Sequence, residues 1–296
     1  ATVTVLPAVD PAEILRLVEE TKVTILFMVP AVILFVMQQS ESQSRDVSSV
    51  RQVVYGASPI AEDLLVNAQK TFKCDFLQVY GLTETTGCAT HLPAADHAPE
   101  RGKLRSCGKP NTGVDIKIVD DNNHRVPVGQ VGEILIKATT NMKGYWNNAD
   151  ATRGSVKDGW FYSGDAGYAD DEGYIFIHDR VKDMIVSGGE NVYPAEVENA
   201  LFSHPDIADV AVIGVPDEKW GEAVKACVVL RPDATLSQDD IIAFARELVA
   251  GYKLPKSVDF VEALPRNPSG KILRRELREP YWVCLLYTSD AADEGS

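Results

Sequence analysis

Helical and strand patterns alternate over the first 110 residues, and this alternation limits the possible folds more than any other feature of the sequence. Apolar residues recur at helical spacing between residues 10 and 20, and residues 23–29, 50–55 and 75–80 are short, largely apolar, strand-like runs. A glycine follows each of the last two runs. Repeated units of strand, glycine-containing loop and helix predict an α/β layer with ligands at the C-terminal ends of its strands.

Two local patterns within this layer lead to specific expectations. The apolar stretch at residues 23–37 has about 15 residues with Pro30 at its centre, whereas a bilayer crossing needs about 20, so we expect a buried strand that runs into a buried helix. Farther on, we expect Ser58 to cap a helix that has Pro59 in its first turn and ends near residue 72.

The predicted secondary-structure pattern changes after residue 110 and again at residue 183. Short β patterns at residues 114–119, 132–136 and 174–178 predict a β-rich subdomain. From residue 183 onward helix and strand patterns are interleaved over about 100 residues, which predicts a compact α+β domain. The predicted divisions are an α/β layer at residues 1–109, a β-rich subdomain at 110–180, a small domain at 181–282 and a tail at 283–296.

Both ends of the sequence are unusual. The chain opens with Ala-Thr-Val-Thr-Val, without an initiator methionine or a basic leader segment, so we expect a truncated N-terminus. Residues 283–296 resemble the translated sequencing-adapter sequence found at the ends of some metagenomic reading frames, and we leave them out of the fold prediction.

Charge and cysteine content argue against two classes of function. With 43 acidic residues and 29 Lys or Arg residues the formal net charge is -14, whereas binding to nucleic acid requires a basic face. The five cysteines show no paired spacing, which argues against a structural zinc site and suits the reducing cytoplasm.

Basic residues nevertheless concentrate near the end of the small domain. A ligand that carries a polyphosphate needs such a concentration, and a basic face on a solvated helix after Gly270 explains it equally well. The residues are Lys253, Lys256, Arg266, Lys271, Arg274, Arg275 and Arg278.

A glycine- and threonine-rich segment, Tyr-Gly-Leu-Thr-Glu-Thr-Thr-Gly at residues 80–87, directly follows a predicted strand. Glycines let backbone N–H groups approach a phosphate, threonine hydroxyls donate to its oxygens, and a carboxylate such as Glu84 can bind Mg²⁺ on the same oxygens. The segment therefore indicates a nucleotide phosphate site, although a plain turn can have the same composition.

Three further segments have the composition of ligand-binding loops. Tyr-Ser-Gly-Asp at residues 162–165 lies between two turn patterns, where a carboxylate can accept both hydroxyls of a ribose; a solvated turn aspartate is the alternative. Residues 179–194 join the charge cluster Asp-Arg-Val-Lys-Asp to a Gly-Gly pair, as in a linker or a hinge. Lys271 ends the loop Pro-Arg-Asn-Pro-Ser-Gly-Lys and suits a developing oxyanion, although a lysine there is usually solvated.

Together, and in this order, the four segments resemble the adenylate-forming superfamily of acyl-CoA synthetases, luciferases and peptide-synthetase adenylation domains. The resemblance covers residues 1–282, and Ser-Gly-Gly-Glu-Asn-Val-Tyr-Pro at residues 187–194 is most similar to the acyl-CoA synthetase form. It implies an α/β fold made of the C-terminal part of the large AMP-binding domain (residues 1–180) and a small mobile α+β domain (181–282).

The resemblance also implies roles for residues around the nucleotide base. Gly56, Ala57 and Ser58 would line the adenine pocket, with Tyr80 against the base. Gly81, beside them, would let the backbone approach the phosphate.

For the phosphate and the sugar, the resemblance implies four further side chains. Thr83 would bond the α-phosphate and Glu84 would bind Mg²⁺. Asp165 would hold the ribose hydroxyls, assisted by Arg180.

The implied roles in the small domain concern the two chemical steps. Lys271 would stabilise the transition state of adenylation, and Lys182 would lie at the hinge between the domains. Gly188 and Gly189 would line the pantetheine passage, with Trp220 beside it.

The function implied is that of an ATP-dependent acid:CoA ligase, which forms an acyl-adenylate and then a thioester, with ATP/AMP, Mg²⁺ and coenzyme A as ligands. A medium- or long-chain fatty acid is the expected substrate; an aryl or other carboxylate is the alternative, and a non-catalytic nucleotide-binding module is a third reading. The family's Pro-Lys-Gly phosphate loop does not occur before Tyr55, so we expect the chain alone to be inactive. We expect membrane contact to be peripheral at most, and the sequence leaves the oligomeric state open.

Overall fold

The structure, a computed structural model, describes residues 2–39, 44–58, 60–267 and 271–290, with side chains up to residue 282. The chain divides into two units. The first comprises Ala1–Ser163 and Gly167–Ile177, and the second comprises Gly164–Ala166 and His178–Ser296.

The first unit opens with three helix–strand repeats, as the alternating patterns predict. The elements are α1 (Pro11–Thr21), β1 (Ile25–Met28), α2 (Pro30–Gln38), β2 (Gln52–Gly56), α3 (Glu62–Phe72), β3 (Asp75–Tyr80), β4 (Thr90–Leu92) and β5 (Lys109–Pro110). The sheet order is β1-β2-β3-β4-β5, with β1, β2 and β3 parallel. Because β2 and β3 are parallel neighbours, the loops that follow them leave the same edge of the sheet.

Local chemistry explains where these helices begin and what they bury. Asp10 caps α1, since its carboxylate accepts hydrogen bonds from the amides of Ala12 and Glu13. Leu15 and Val18 then face inward, where they join one apolar cluster with buried residues of α2, α3 and the parallel strands. A continuous apolar face of this kind supplies most of the stability of such a layer.

The expected buried strand at residues 23–29 is only half buried. Leu26 and Met28 of β1 face the core, whereas Ile25 is 58% exposed and Phe27 is 72% exposed. The reason is that β1 is the edge strand of its sheet and its side chains alternate between a covered and an uncovered face. The helix expected after it is present as α2, and no described helix is long and apolar enough to cross a membrane.

The expected start of the next helix is wrong. The helix begins at Glu62 with Ala61 at the N-cap position, so Ser58 is not the cap, and Pro59 lies outside the described residues. Glu62 and Asp63 supply the acidic first turn that favours a helix N-terminus. The helix ends at Phe72, as expected.

A second sheet covers most of residues 114–180. Its elements are β6 (Val114–Val119), β7 (Gly132–Ala138), α4 (Ala149–Ser155), β8 (Val156–Lys157), β9 (Trp160–Ala169) and β10 (Ile175–Arg180). The order is β10-β9-β7-β6, with β8 paired to β9. The expected loop at residues 162–165 is wrong, because these residues lie within β9. Two glycines in β9 weaken its strand pattern in the sequence, and pairing with neighbouring strands overrides that preference.

The second unit contains a third sheet with helices packed against it. Its elements are β11 (Ile185–Ser187), β12 (Glu190–Val192), α5 (Pro194–Phe202), β13 (Ile207–Asp217), β14 (Gly221–Leu230), α6 (Gln238–Arg246), β15 (Ser257–Phe260) and α7 (Arg274–Asp290). The order is β12-β11-β14-β13, and β15 pairs in parallel with β14. This is the α+β arrangement expected from the sequence. The α7 backbone continues past residue 282 into the segment that we leave out of the fold prediction.

Candidate functional site

The candidate residues fall into two groups, one in each unit, and each group is described by itself. In the first unit the register pairs Gly56 with Val79, the residue before Tyr80. The adjacent parallel strands therefore bring the loop that starts at Ala57 beside the loop that starts at Gly81. This edge of a parallel sheet is where α/β proteins commonly bind ligands.

Close backbone approach requires glycine at two of these positions. A Cβ on Gly56 would lie 2.2 Å from the carbonyl oxygen of Val79, and one on Gly81 would lie 1.7 Å from that of Gly87. Both glycines therefore have a structural role, whichever ligand the loops hold. Ala57 has a φ of 68°, a left-handed conformation that costs a residue with a Cβ about 1 kcal/mol. Such strain is often found in ligand-binding loops.

Tyr80 is more deeply buried than a residue that stacks on a base needs to be. Its side chain is 9% exposed and belongs to an apolar cluster with Ala89, Ile118 and partly buried Leu82. Little of its surface is left to contact an adenine, and its role against the base stays a prediction.

Thr83 and Glu84 lie in a short 3₁₀ turn, Thr83–Thr85, directly after β3. The Thr83 side chain is exposed, and the Glu84 carboxylate accepts a hydrogen bond of 2.8 Å from the hydroxyl of Tyr145. Burial, followed by this hydrogen bond, raises the pKa of Tyr145. Tyr145 lies in Gly-Tyr-Trp at residues 144–146, two aromatic residues in a polar stretch that our sequence reasoning left without a role.

The oxygen groups of this turn fit a magnesium ion. Mg²⁺ is usually bound through one or two carboxylates together with phosphate and water oxygens, rather than by an all-protein cage. Glu84 offers a carboxylate and Thr83 an exposed hydroxyl. Across the residues that the structure describes there is no group of three or more His, Cys, Asp or Glu that could hold a metal. A cation here would therefore depend on Glu84 and on the phosphate of a ligand.

In the second unit Asp165 and Arg180 form an ion pair, with 2.9 Å between Oδ1 of Asp165 and Nε of Arg180. Asp165 is 6% exposed and Arg180 is half-buried, so water screens the pair only partly. Gly164 precedes Asp165 with a φ of 68°, and a Cβ there would lie 3.8 Å from Nη1 of Arg180. The fold thus brings together two residues that are fifteen positions apart in the sequence.

Lys271 lies among the same charges. It remains exposed to solvent, yet partial desolvation lowers its pKa, and the positive charge of Arg180 lowers it further, against the attraction of Asp165 and Asp183. Hydrogen bonds between Asn267 and the backbone of Lys271 close the hairpin that carries it, and residues 268–270 of this loop lie outside the described residues.

A buried charge network lies close to Lys271 along the chain, and sequence reasoning missed it. Arg274 donates three hydrogen bonds to Glu198, at 3.3, 2.9 and 2.7 Å. Its Nη1 lies 3.8 Å from Asp179 and 3.7 Å from Asp183. Asp179 in turn accepts from the amide of Ala195 at the start of α5. The network ties α7 to α5 and to the segment that contains Arg180.

Gly188 and Gly189 form the two-residue turn between β11 and β12. Both have positive φ values, 63° and 86°, as a tight hairpin turn of this length requires. The pair is therefore a defined turn rather than an open linker. A Cβ on Gly188 would lie 2.6 Å from the ring of Trp220, so the glycine lets the backbone rest against the indole. Trp220 is 39% exposed, and the ammonium groups of Lys219 and Lys256 lie over its ring.

Lys182, the predicted hinge residue, lies in the 3₁₀ turn Val181–Asp183 with its side chain exposed. This position lies two residues after Arg180, and its role stays a prediction.

Four members of the basic concentration near the end of the small domain are engaged by acids. The pairs are Lys253 with Glu196, Arg266 with Asp209, Arg274 with Glu198 and Arg278 with Glu222. These pairs neutralise much of the local positive charge, which argues against a polyphosphate-binding surface formed by these four residues.

Comparison with known proteins gives the class of the chain. The family model described as AMP-binding enzyme matches residues 1–146, and the model for the AMP-binding enzyme C-terminal domain matches residues 196–271. The chain belongs to the AMP-binding, adenylate-forming superfamily.

Individual relatives differ in substrate. A fatty acid–[acyl-carrier-protein] ligase, ScoC, of Streptomyces coeruleorubidus is 42% identical over 95% of the chain and 54% of the relative. A feruloyl-CoA synthase of Amycolatopsis is 41% identical over 95% and 56%. The medium/long-chain-fatty-acid–CoA ligase FadD8 of Mycobacterium tuberculosis is 41% identical over 94% and 50%.

A solved structure shares the fold. ATP-bound MatB of Rhodopseudomonas palustris superposes with a TM-score of 0.86 at 33% identity, covering 94% of the chain and 54% of MatB. The chain thus has the α/β adenylate-forming fold, with part of the large domain and the C-terminal domain. It spans about half the length of the curated relatives it matches.

Proposed function

We propose that the chain is the C-terminal portion of an ATP-dependent acid:CoA ligase that activates a medium- or long-chain fatty acid. The observation that carries the proposal is the pair of Asp165 and Arg180 in the second unit, with Lys271 under the influence of both charges. A carboxylate for ribose hydroxyls and an ammonium for a developing negative charge are the groups that adenylate formation requires.

In the first step a substrate carboxylate oxygen would form a bond to the α-phosphorus of ATP while the bond to pyrophosphate breaks. Asp165 would accept hydrogen bonds from the ribose hydroxyls, and Arg180 would orient Asp165 through their ion pair. The ammonium of Lys271 would donate hydrogen bonds to the oxygens that gain charge. Because the pKa of Lys271 is lowered, this ammonium loses its charge at a lower pH than that of an ordinary lysine.

In the first unit, the exposed hydroxyl of Thr83 would donate a hydrogen bond to the α-phosphate, and Glu84 would hold Mg²⁺. The ion would neutralise phosphate charge when bound. Gly56, Ala57 and Ser58 would line the adenine pocket, because they occupy the sheet edge beside the Thr83 turn.

In the second step the thiolate of coenzyme A would attack the acyl carbon, and AMP would leave. Gly188 and Gly189 would line the pantetheine passage, since neither carries a side chain, and Trp220 would flank it. The use of Lys271 in one step and of the glycine turn in the other would require a domain movement, for which Lys182 is the proposed hinge.

Two classes of acid are candidates for the substrate. FadD8 and ScoC support a fatty acid, whereas the feruloyl-CoA synthase, at the same identity as FadD8, supports an aryl acid. A hydroxamate-trapping screen of the longer parent enzyme against short, medium, long and aromatic acids separates the two. We expect the highest rates with fatty acids; a preference for hydroxycinnamates would make the aryl ligase correct.

Two alternatives concern the thiol acceptor and catalysis itself. ScoC transfers to an acyl-carrier protein by its name, so supplying coenzyme A or a carrier protein in the same screen identifies the acceptor. ATP binding without activity on any acid would indicate a non-catalytic module. Retention of Thr83, Glu84, Asp165, Arg180 and Lys271 argues against that alternative.

The chain alone should not form acyl-adenylate. The resemblance to the family leads us to expect a phosphate loop ending in Pro-Lys-Gly, and no such loop occurs before Tyr55. We therefore expect no ATP–pyrophosphate exchange with any fatty acid. Measurable exchange by the 296-residue chain would contradict this part of the proposal.

A further inference from the structure

A segment of the first unit holds the turn that contains Glu84 through three hydrogen bonds. The hydroxyl of Thr86 donates to the carbonyl of Thr140 at 2.6 Å, and the amide of Met142 donates to the carbonyl of Glu84, also at 2.6 Å. The third bond is the donation from the hydroxyl of Tyr145 to Oε1 of Glu84 at 2.8 Å. The first two bonds fix the backbone of the turn, whereas the third fixes the carboxylate itself.

The backbone of Tyr145 is itself held in place, which limits the positions that its hydroxyl can take. Its amide donates to the hydroxyl of Thr152 at 2.9 Å, and that hydroxyl donates to the carbonyl of Asn148. The Asn148 side chain caps α4, because it accepts from the amide of Ala151. Gly144 permits the approach, since a Cβ there would lie 2.9 Å from Cγ2 of Thr152.

We propose that Tyr145 is a positioning residue for cation binding: its hydroxyl holds one oxygen of Glu84 and thereby orients the carboxylate so that the other oxygen can bind Mg²⁺. In the described part of the chain, Oε2 of Glu84 has no hydrogen-bond or ion-pair partner. This hydrogen bond restricts rotation of the carboxylate before the ion arrives. The carboxylate therefore loses less rotational freedom when it binds the ion. The inference rests on the proposed function, in which Glu84 holds the cation.

The test uses the 296-residue chain with AMP and Mn²⁺, which prefers the same oxygen ligands as Mg²⁺ and is followed by electron paramagnetic resonance. We expect Tyr145→Phe to weaken Mn²⁺ binding in the presence of AMP by about 10-fold or more, the effect of losing one hydrogen bond to a charged metal ligand. Binding of AMP without metal, measured by calorimetry, should be unchanged, because Tyr145 acts on the cation ligand alone.

Tyr174→Phe is the matched control. Tyr174 also donates its hydroxyl to a carboxylate, Oδ2 of Asp96, at 2.8 Å in the same unit, so this variant measures the general effect of losing such a bond. It should leave Mn²⁺ binding unchanged. Combining Tyr145→Phe with Glu84→Gln should weaken binding no more than Glu84→Gln alone, since Tyr145 acts through Glu84.

The outcomes separate this inference from the function on which it rests. If the unmodified chain binds AMP and Mn²⁺ but Tyr145→Phe behaves like Tyr174→Phe, the positioning role is wrong and the proposed function stands. Additive effects of Tyr145→Phe and Glu84→Gln would also overturn it. If the chain binds AMP but no Mn²⁺, the cation role of Glu84 fails together with this inference. Absence of AMP binding would overturn the proposed function itself.

Discussion

Replacing Arg274 with Gln would remove a guanidinium that three carboxylates share. Arg274 donates three hydrogen bonds to Glu198 and lies 3.8 Å from Asp179 and 3.7 Å from Asp183. The side chains of Arg274 and Glu198 are both only 15% exposed. We expect the second unit to be strongly destabilised, because the variant leaves these carboxylates close together without their cation.

The loss of stability in Arg274→Gln depends on the hydrogen bonds that the carboxylates keep. Removing one partner of a buried ion pair usually costs about 3–5 kcal/mol. Glu198 keeps one donor, the amide of Val212 at 2.8 Å, so we expect a value near the lower end, about 3 kcal/mol. Burial raises the pKa of Asp179 and the charge of Arg274 opposes that rise, so its loss would raise the folded-state pKa of that carboxyl further. Protonation then favours the folded variant, so its deficit should shrink as the pH falls through that raised pKa.

Hydrogen exchange of β13 measures this loss in the second unit alone. A loss of about 3 kcal/mol accelerates exchange at the Val212 amide by about 100-fold when opening is in rapid equilibrium. Arg275→Gln is the control, since Arg275 lies next to Arg274 in α7 of the same unit with its side chain exposed, and such a surface change usually costs about 0.5 kcal/mol or less. A loss for Arg274→Gln no greater than for Arg275→Gln would refute the reasoning.

Two further predictions concern single positions. Carbon-13 NMR of the reductively methylated chain should show that Lys271 titrates at lower pH when folded than when unfolded in urea. Arg180→Gln should raise this pKa and Asp165→Asn should lower it; the same direction of change in both variants would contradict the charge arrangement. Gly81→Ala should destabilise the first unit by about 2 kcal/mol or more, because its Cβ would lie 1.7 Å from a backbone oxygen. Gly154→Ala, in α4 with open space around its Cβ, should be neutral or stabilising in urea unfolding; equal losses in both variants would contradict the packing argument.

Local sequence patterns predicted the strands whose bounds are set by their own residues rather than by their neighbours. Strands at Asp75–Tyr80 and Val114–Val119 have the predicted bounds, because alternating or continuous apolar residues end there at a glycine or a polar turn. Strand β9 was missed, since Gly164 and Gly167 weaken its pattern and pairing with neighbouring strands supplies the stability. The Ser58 cap was wrong, because α3 begins at Glu62 instead.

The residues of the candidate site likewise divide into those that a local sequence pattern reveals and those that it does not. The turn at Thr83 and the glycines beside it are recognisable in the sequence because they form one continuous segment. Contacts between residues that are distant in the sequence cannot be recognised in this way. Tyr145 and Glu84 are 61 positions apart, and Arg274 and Glu198 are 76 apart. Neither pair has a local pattern that links its members, because each contact depends on how separate elements pack.

The central claim is that this chain carries the adenylate-binding residues of an acid:CoA ligase. The most direct test is calorimetric titration of the chain with a non-hydrolysable fatty acyl-adenylate analogue, in parallel with its 2′,3′-dideoxyribose counterpart. We predict binding of the first, and binding of the second that is weaker by at least about 10-fold, because a buried carboxylate such as Asp165 loses its hydroxyl partners. No binding of either compound, or equal binding of both, would contradict the claim.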